Sequence, residues 1–596
     1  MSGTTELKKS CSVSFDVGRK RLRIGIGLML TCLAIIAGRV IIVQVVDPGG
    51  LSSAADVLRT QSSVLPAQRG KIVDSRGVVL AESVLHYDIV GSARENSASK
   101  TFSRLDPSGV KQKVSRETGI GELASVLKLP AEELNDLLAG EGQFAYLTRS
   151  VEPEVESAVM ALQIPGVTSR PVEHRTYPLG PVAGSIVGYV NEDGGAAGVE
   201  QTLNEQLKGI DGSRTYQIGA DGIIIPTTNN HLTPAVDGQT VKLTVDSDLQ
   251  FYCQKAIASQ VAAQGAEYGN IIVVEAKTGK IRAMAESRTV DPNDPGATAP
   301  QDRGARSVTA ALEPGSTEKA VTAAAAIQEG MVEPLEPLVV PPTYSVKGQV
   351  FSDSFVHGTL QRTFAGVIGE SLNTGTVMVG EKLSRQQRFD YLFKFGIGQK
   401  TGIPIPGETA GLLAAPETWD ARQEFSVLFG QGVSQSPLQT AMVFQTLANN
   451  GVRLQPQLIE SFTGSNGVVN ESPQAPGAEV VSPETAQKVR DILESVVTED
   501  GAKDVKVAGY RIGGKTGTAE AVAANGRGFD GYTASFVGMA PMEDPRYVVM
   551  VNVQRPKGDI YGISQAGVFN DVMGHVLAKY EVPVSNAPAV RLPQTY

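Results

Sequence analysis

The hydrophobic pattern of the chain changes character three times. The first regime is a continuous apolar run, Ile24 to Val46, broken by Arg39 and Gln44 and preceded by Arg19, Lys20, Arg21 and Arg23. As a helix, its roughly 23 residues would be about 35 Å long, enough to cross a bilayer. The basic residues ahead of it predict an N-terminus in the cytoplasm. A cleaved signal peptide would need an A-x-A site after its apolar core, and none follows Ile36, so the run reads as a retained anchor. Arg39 is costly in lipid and is expected to snorkel to the outer interface or to face a partner helix. No second run of this length occurs, which places nearly all of the chain outside the cytoplasm. Leu51–Ser63 is expected as a short juxtamembrane helix.

The second regime, Pro66 to about Ala235, mixes short runs with Gly-rich turns. Lys71–Leu80 has two β-type runs around a polar Asp74-Ser75-Arg76-Gly77 turn. Glu117–Leu127 and Glu132–Leu138 have helical spacing. The third regime opens near Gln239. Val241–Val245 alternates as a strand, Ser247–Gln264 is helical, and Ile271–Glu275 with Lys280–Ala285 predicts a hairpin. Three more strands are expected at Tyr510–Glu520, Thr533–Ala540 and Tyr547–Gln554, then an amphipathic helix at Gln565–Lys579. Val308–Ser495 reads as mostly helical. Loops are expected at Asp291–Gln301, Pro334–Gly348 and Gly464–Gly477. Strands at both ends of a unit with helices between them predict one antiparallel sheet of five strands covered by helices, an α+β fold.

Composition narrows the function. A chain of 596 residues exceeds one ordinary domain. The net charge of −10 argues against nucleic acid as a partner. Cys11, Cys32 and Cys253 have no metal-ligand spacing, and His86, His174, His231, His357 and His575 form no close ligand pair, so neither a metal nor another cofactor is expected. The five histidines read as ordinary surface or core residues.

Three short motifs carry candidate chemistry. Ser316-Thr317-Glu318-Lys319 opens an Ala-rich stretch of high helix propensity. A serine at a helix start is often only a cap. Here Lys319 lies three residues on, on the same face and close enough to touch. Burial would neutralise that lysine, and a neutral amine can take the hydroxyl proton so that Ser316 attacks. Ser371-Leu372-Asn373 follows in a largely helical stretch, Leu360–Leu383. Ser371 can relay a proton from Lys319, and Asn373 can hold a substrate amide. Taken alone, this is a Ser/Asn turn between helices.

Lys515-Thr516-Gly517-Thr518 falls on an expected strand. Lys515 supplies positive charge near both serines and a substrate carboxylate, with Thr516, Gly517 and Thr518 lining the substrate. Gly517 leaves room for the substrate backbone, and the N–H groups of Thr518 and Ser316 can form an oxyanion hole. Other S-x-x-K matches at Ser97, Ser108 and Ser125 lack this context, and Lys277-Thr278-Gly279 occupies a turn. Gly509–Thr516 also fits the P-loop pattern, but that reading requires a helix directly after Thr516.

In this order the motifs resemble those of penicillin-binding proteins. The likeness spans about Arg69 to Lys579. Arg69-Gly70-Lys71-Ile72-Val73-Asp74 with Gly77-Val78-Val79-Leu80-Ala81, then Arg175-Thr176-Tyr177-Pro178 and Gly198-Val199-Glu200, are similar to boxes of the class B pedestal. Phe429–Gln439 looks like the family's G-Q-G-x-x-x-T-P-x-Q stretch, with Ser436 for threonine. Ala365–Gly375 is similar to the division-specific, FtsI-like branch.

The resemblance implies a cytoplasmic tail (1–23), a transmembrane helix (24–46), a dimerisation or pedestal domain (64–235), a transpeptidase domain (239–582) and a flexible C-terminal tail (583–596). It implies a peptidoglycan D,D-transpeptidase of the septum that cross-links stem peptides through a serine acyl-enzyme, is inhibited by β-lactam antibiotics, and works with a polytopic glycan polymerase and other division proteins at the cell membrane. An elongation-type transpeptidase, a water-using carboxypeptidase or β-lactamase, and a β-lactam sensor or a catalytically idle or regulatory scaffold of the wall-synthesis complex are the rival readings. Two departures stand out. Leu372 replaces a common serine, and Glu318 replaces an apolar or neutral residue. Glu318 either points harmlessly away from Ser316 or pairs with Lys319 or Lys515.

Overall fold

The computed structural model describes residues 14–46, 60–98, 100–105, 108–217, 225, 231–499, 501–523 and 526–596. The chain divides into two compact units, one of Met1–Ala67 with Ile210–Val236 and one of Gln68–Gly209 with Asp237–Tyr596.

The first unit holds the expected N-terminal helix, Ser14–Ile41, continued by a π-helical turn over Ile42–Val46. Gly18–Val45 is long and apolar enough to cross a membrane, and it is the one such helix among the described residues. The same unit contains a three-stranded antiparallel sheet, Thr60–Leu65 beside Gly212–Gln217 beside His231–Thr233. The juxtamembrane helix expected at Leu51–Ser63 falls mostly outside the described residues. Its last four positions are strand, because they pair with a segment far along the chain that local periodicity does not register.

In the second unit the runs around Asp74–Gly77 form a hairpin, Ile72–Val73 and Val79–Gly91. Arg116–Leu127 and Ala131–Leu137 are helices. One seven-stranded sheet takes strands from both sides of residues 235–239. Thr240–Leu243 runs parallel to Ile72–Val73 on one side and antiparallel to Ile459–Thr463 on the other. Asp74 ties the same junction, accepting hydrogen bonds from Ser247 N and Oγ at 3.1 and 2.7 Å. Burial works to raise its carboxyl, but these bonds and those from Val78 and Arg76 outweigh it and hold it below the usual range.

The resemblance-derived boxes meet in space. Glu200, fully buried, accepts from Arg69 Nε at 2.7 Å and from Arg175 Nε at 2.8 Å. Two guanidinium groups thereby share one carboxylate in the interior.

The central sheet is the predicted one. Its order is Ile281–Glu286, Tyr268–Glu275, Tyr547–Gln554, Phe529–Ala540, Gly513–Val522, antiparallel throughout. Tyr547–Gln554 is buried at every position, which requires cover on both faces. Met550 and Asn552 face Pro437 and Thr440 of the helix Pro437–Ala448. On the opposite face Gly538, paired with Val549, leaves room for Phe569 of the helix Ala566–Lys579.

Val308–Ser495 departs from the helical expectation. It holds the helices Lys319–Gln328, Phe364–Gly369, Asn373–Gly380, Arg385–Lys394, Pro437–Ala448 and Pro483–Thr498. It also holds short strand pairs, such as Pro337–Val340 with Leu360–Thr363 and Thr343–Val346 with Gln349–Ser352. Alternation over four residues is too short to register as a period. The C-terminal residues, read from sequence as a flexible tail, make specific contacts: Leu592 N donates to Ser495 Oγ at 2.9 Å, and Gln594 O accepts from Thr363 N at 3.0 Å.

Candidate active site

Three elements bring the three motifs together. Gly315–Glu318 is a 3₁₀ turn leading into the helix Lys319–Gln328. Gly315 has φ +56°, and a Cβ there would lie 3.0 Å from both Thr518 O and the Ala519 side chain, so a glycine lets this turn sit against the strand Gly513–Val522. On its other side Gly430, from the G-Q-G stretch, packs against Gly315 so closely that a Cβ would reach 2.2 Å from its carbonyl oxygen. Ser316 is half-buried at this clamped turn.

Lys319 and Lys515 are both fully buried. Lys319 Nζ donates to the Ser371 carbonyl and, at 3.2 Å, to Ser371 Oγ. Lys515 Nζ reaches the same Oγ at 3.0 Å and Thr516 Oγ1 at 3.3 Å. Ser371 therefore sits between two amines. Burial, with the nearby charge of Lys515, holds Lys319 well below the usual lysine range, against an opposing pull from Asp353. Burial alone brings Lys515 down to about 7. Two ammonium groups on one hydroxyl in a dry site repel each other, so the arrangement favours at least one neutral amine near neutral pH. The hydrogen bonds of Lys319 go to the carbonyl and hydroxyl of Ser371, and none joins it to Ser316 among the described residues.

Ser371 lies in a link between helices, not in a continuous helix, and takes a left-handed φ of +60°. Asp353 holds the start of the following helix. It accepts from the backbone N–H groups of Asn373 and Thr374, from Thr374 Oγ1 at 2.7 Å, and from His357 Nε2 at 2.8 Å. Burial disfavours the His357 cation, yet the bonds to Asp353 and to Gly358 O raise its pKa. Neither Asp353 nor His357 stands out in the sequence. They lie on a connecting loop, and a lone histidine four residues from an aspartate carries no recognisable pattern. Asn373 Nδ2 donates to Ser352 O at 3.2 Å.

Lys515–Thr518 lies on the edge strand of the sheet. The chain continues as strand to Val522, so the helix required by the P-loop pattern does not follow Thr516. Thr518 Oγ1 accepts from Gly562 N at 3.0 Å. Glycine at 517 also has a cause within the chain. A Cβ there would approach Ser535 Oγ at 2.4 Å, and Pro314 O and Thr317 Cγ2 at 3.0 Å, all groups of the chain itself. Lys277-Thr278-Gly279 lies in the turn after Tyr268–Glu275, as expected.

Glu318 makes neither of the lysine pairings that the sequence allowed. It is 1 % exposed, and neither oxygen has a hydrogen-bond partner among the described residues. It pairs with neither lysine. Burial pushes its carboxyl up to about 8, against a weaker lowering by the Gln435 side chain.

The site and sheet together define a class of protein, and comparison with known chains gives it a name. The model of the penicillin-binding protein transpeptidase domain matches residues 269–574, and that of the penicillin-binding protein dimerisation domain matches 64–243. The chain is 35% identical over 602 residues to the penicillin-binding protein PbpB of Mycolicibacterium smegmatis, covering 95% of this chain and 91% of the relative. It is 30% identical to the peptidoglycan D,D-transpeptidase FtsI of Escherichia coli K12, covering 92% and 90%. Among solved structures, penicillin-binding protein 3 of Mycobacterium tuberculosis in complex with aztreonam superposes with a TM-score of 0.68 at 29% identity, covering 89% of this chain and all of that one. The chain belongs to the penicillin-binding protein family, in the class B arrangement of a dimerisation domain followed by a transpeptidase domain.

Proposed function

We propose that this chain is a membrane-anchored peptidoglycan D,D-transpeptidase of septal wall synthesis. The observation that carries the reading is the buried pair of amines converging on Ser371 Oγ beside the Ser316 turn. Ser316 Oγ attacks the carbonyl of the penultimate D-Ala of a stem peptide, and its proton passes to the neutral amine of Lys319. The backbone N–H groups of Ser316 and Thr518 receive the developing oxyanion. As the C–N bond breaks, Ser371 relays a proton from the lysine pair to the leaving D-Ala amine. An amine of a neighbouring stem then attacks the ester, giving the cross-link and releasing Ser316. Lys515, Thr516 and Gly517 hold the terminal carboxylate side of the substrate, and Asn373 holds its amide. A β-lactam enters as a mimic of the D-Ala-D-Ala end.

In this reading residues 64–235 are the pedestal and 239–582 the transpeptidase domain. The basic residues before the apolar helix keep the N-terminus cytoplasmic and the catalytic domain outside. A polytopic glycan polymerase is the partner expected for the anchor. The septal assignment rests on similarity to relatives named PbpB and FtsI.

Labelling with a fluorescent penicillin, read by intact mass, tests the mechanism. A stable adduct on the native chain, lost in Ser316→Ala, is the expected result. No adduct on folded protein would leave an idle scaffold. An adduct that forms and quickly disappears would mark a hydrolase.

A further inference from the structure

Burial holds three arginines below the usual guanidinium range: Arg388, Arg453 and Arg490. Two of them spend their hydrogens inside the protein. Arg388 donates to Gly380 O at 3.1 Å and Glu424 O at 2.6 Å, and Arg490 donates to Leu447 O at 2.7 Å. The Arg453 side chain has no hydrogen bond and no ion pair among the described residues, and for it burial is unopposed by any acceptor. A guanidinium partly removed from water with no protein acceptor is unfavourable unless water or a ligand in the pocket supplies one.

Arg453 lines a pocket of about 220 Å³. The strand pair Val452–Arg453 with Ala478–Glu479 fixes its backbone. Its Nη1 lies where a Cβ on Gly396 would come within 2.7 Å, and Gln455 Nε2 lies 2.2 Å from a Cβ built on Gly402. Both glycines have positive φ, +102° and +80°, so a side chain is disfavoured at each on backbone grounds as well. The space they leave is taken by two donor groups. Lys400 is a third donor on the rim without a partner among the described residues. No aspartate or glutamate lines the pocket among the described residues, although the whole chain carries a net charge of −10. Phe395 and Met442 supply an apolar wall. None of the motif residues around Ser316 takes part.

We propose that this pocket binds a small organic anion, its carboxylate or phosphate oxygens accepting from Arg453, Gln455 and Lys400 and its hydrocarbon part lying against Phe395 and Met442. Charge-assisted bonds to a planar guanidinium are strong and directional, and partial burial limits their screening by solvent. The pocket adjoins Gln439, whose Nε2 donates to Gly396 O, Gln399 O and Ala410 O, so the occupant would rest on a wall already fixed by hydrogen bonds.

Isothermal titration of the full chain in detergent, with succinate and with inorganic phosphate at constant ionic strength, tests this. A Kd of about 1 mM or tighter is expected for at least one of them. It should weaken at least about tenfold in Arg453→Gln and less in Arg453→Lys, since a point charge keeps the attraction but loses the fork. Succinate alone binding would identify a carboxylate ligand, and phosphate alone a phosphate ligand. Melting separates binding from a structural role. Without added anion Arg453→Gln should melt no lower than the native chain, and only the native chain should gain stability on adding the bound anion. Absence of binding by both anions, equal binding by Arg453→Gln, or a lower melting temperature of that variant without anion would each overturn the proposal.

Discussion

Glu318 sits inside the first motif without pairing with either Lys319 or Lys515. Its carboxyl is buried with both oxygens unpartnered among the described residues, and the facing Gln435 likewise has an unpartnered Oε1. A protonated acid resolves both, because its hydroxyl can donate to an amide oxygen whereas a carboxylate cannot. Burial pushes this group up to about 8. Between the ordinary carboxyl range and about pH 8 the folded chain keeps a proton that the unfolded chain has lost, so stability falls as pH rises through that window. Each unit of pKa elevation is worth about 1.4 kcal/mol, so the loss over the window is a few kcal/mol. Glu318→Gln, which mimics the neutral acid, should remove it. Its melting temperature should match the native value near pH 5 and exceed it increasingly toward pH 8; a constant difference would show that Glu318 does not titrate there.

The lysines act in the opposite sense. Lowering the pH through about 7 charges Lys515 beside Lys319, so the penicillin acylation rate should fall as pH drops through that value. A rate unchanged between pH 5 and 8 would show that charging Lys515 does not limit acylation.

At the scale of elements, the loop between Gln349–Ser352 and Leu360–Thr363 decides where the second motif stands. Asp353 accepts four hydrogen bonds, three from the first turn of the helix Asn373–Gly380 and one from His357. A carboxylate at a helix start also meets the positive end of the dipole. Asp353→Ala should free the Ser371 link and slow acylation about 10- to 100-fold, as small misplacements of a positioned group do. Loss of charge-assisted bonds worth about 1.5–3 kcal/mol each should also lower the melting temperature. His357→Gln keeps a donor and should lose far less activity than His357→Ala; equal losses would reduce the histidine to a packing role. Neither residue was legible in the sequence. The three motifs were, because each has a fixed spacing on a turn, link or strand whose ends periodicity can place. The acceptors that orient them come from loops, which have no period.

At the scale of the molecule, two ties join the pedestal residues to the rest of the larger unit: the sheet across residues 235–239 and the Asp74–Ser247 hydrogen bonds. The Arg69–Glu200–Arg175 cluster fixes the pedestal side. Glu200→Ala would leave two buried guanidinium groups without their shared carboxylate, at a cost of about 3–5 kcal/mol. Thermal unfolding should register that loss. The protein that remains folded should acylate at the native rate, since Glu200 does not touch the motif residues; a rate loss in folded protein would instead couple pedestal to site.

The sequence by itself determined the apolar span, the five strands of the central sheet, the helices flanking it and the three motifs, since each is a local pattern of period, propensity or spacing. Only the tertiary structure decided that Ser371 lies between two buried amines, that Asp353 and His357 hold it there, and that Glu318 faces Gln435 away from the lysines. It also decided that Gly517 makes room for the chain's own Ser316 turn, and that the Arg453 side chain has no acceptor among the described residues. Those outcomes depend on which distant groups share a dry space, and burial there sets protonation and hydrogen bonding more strongly than any neighbour in sequence.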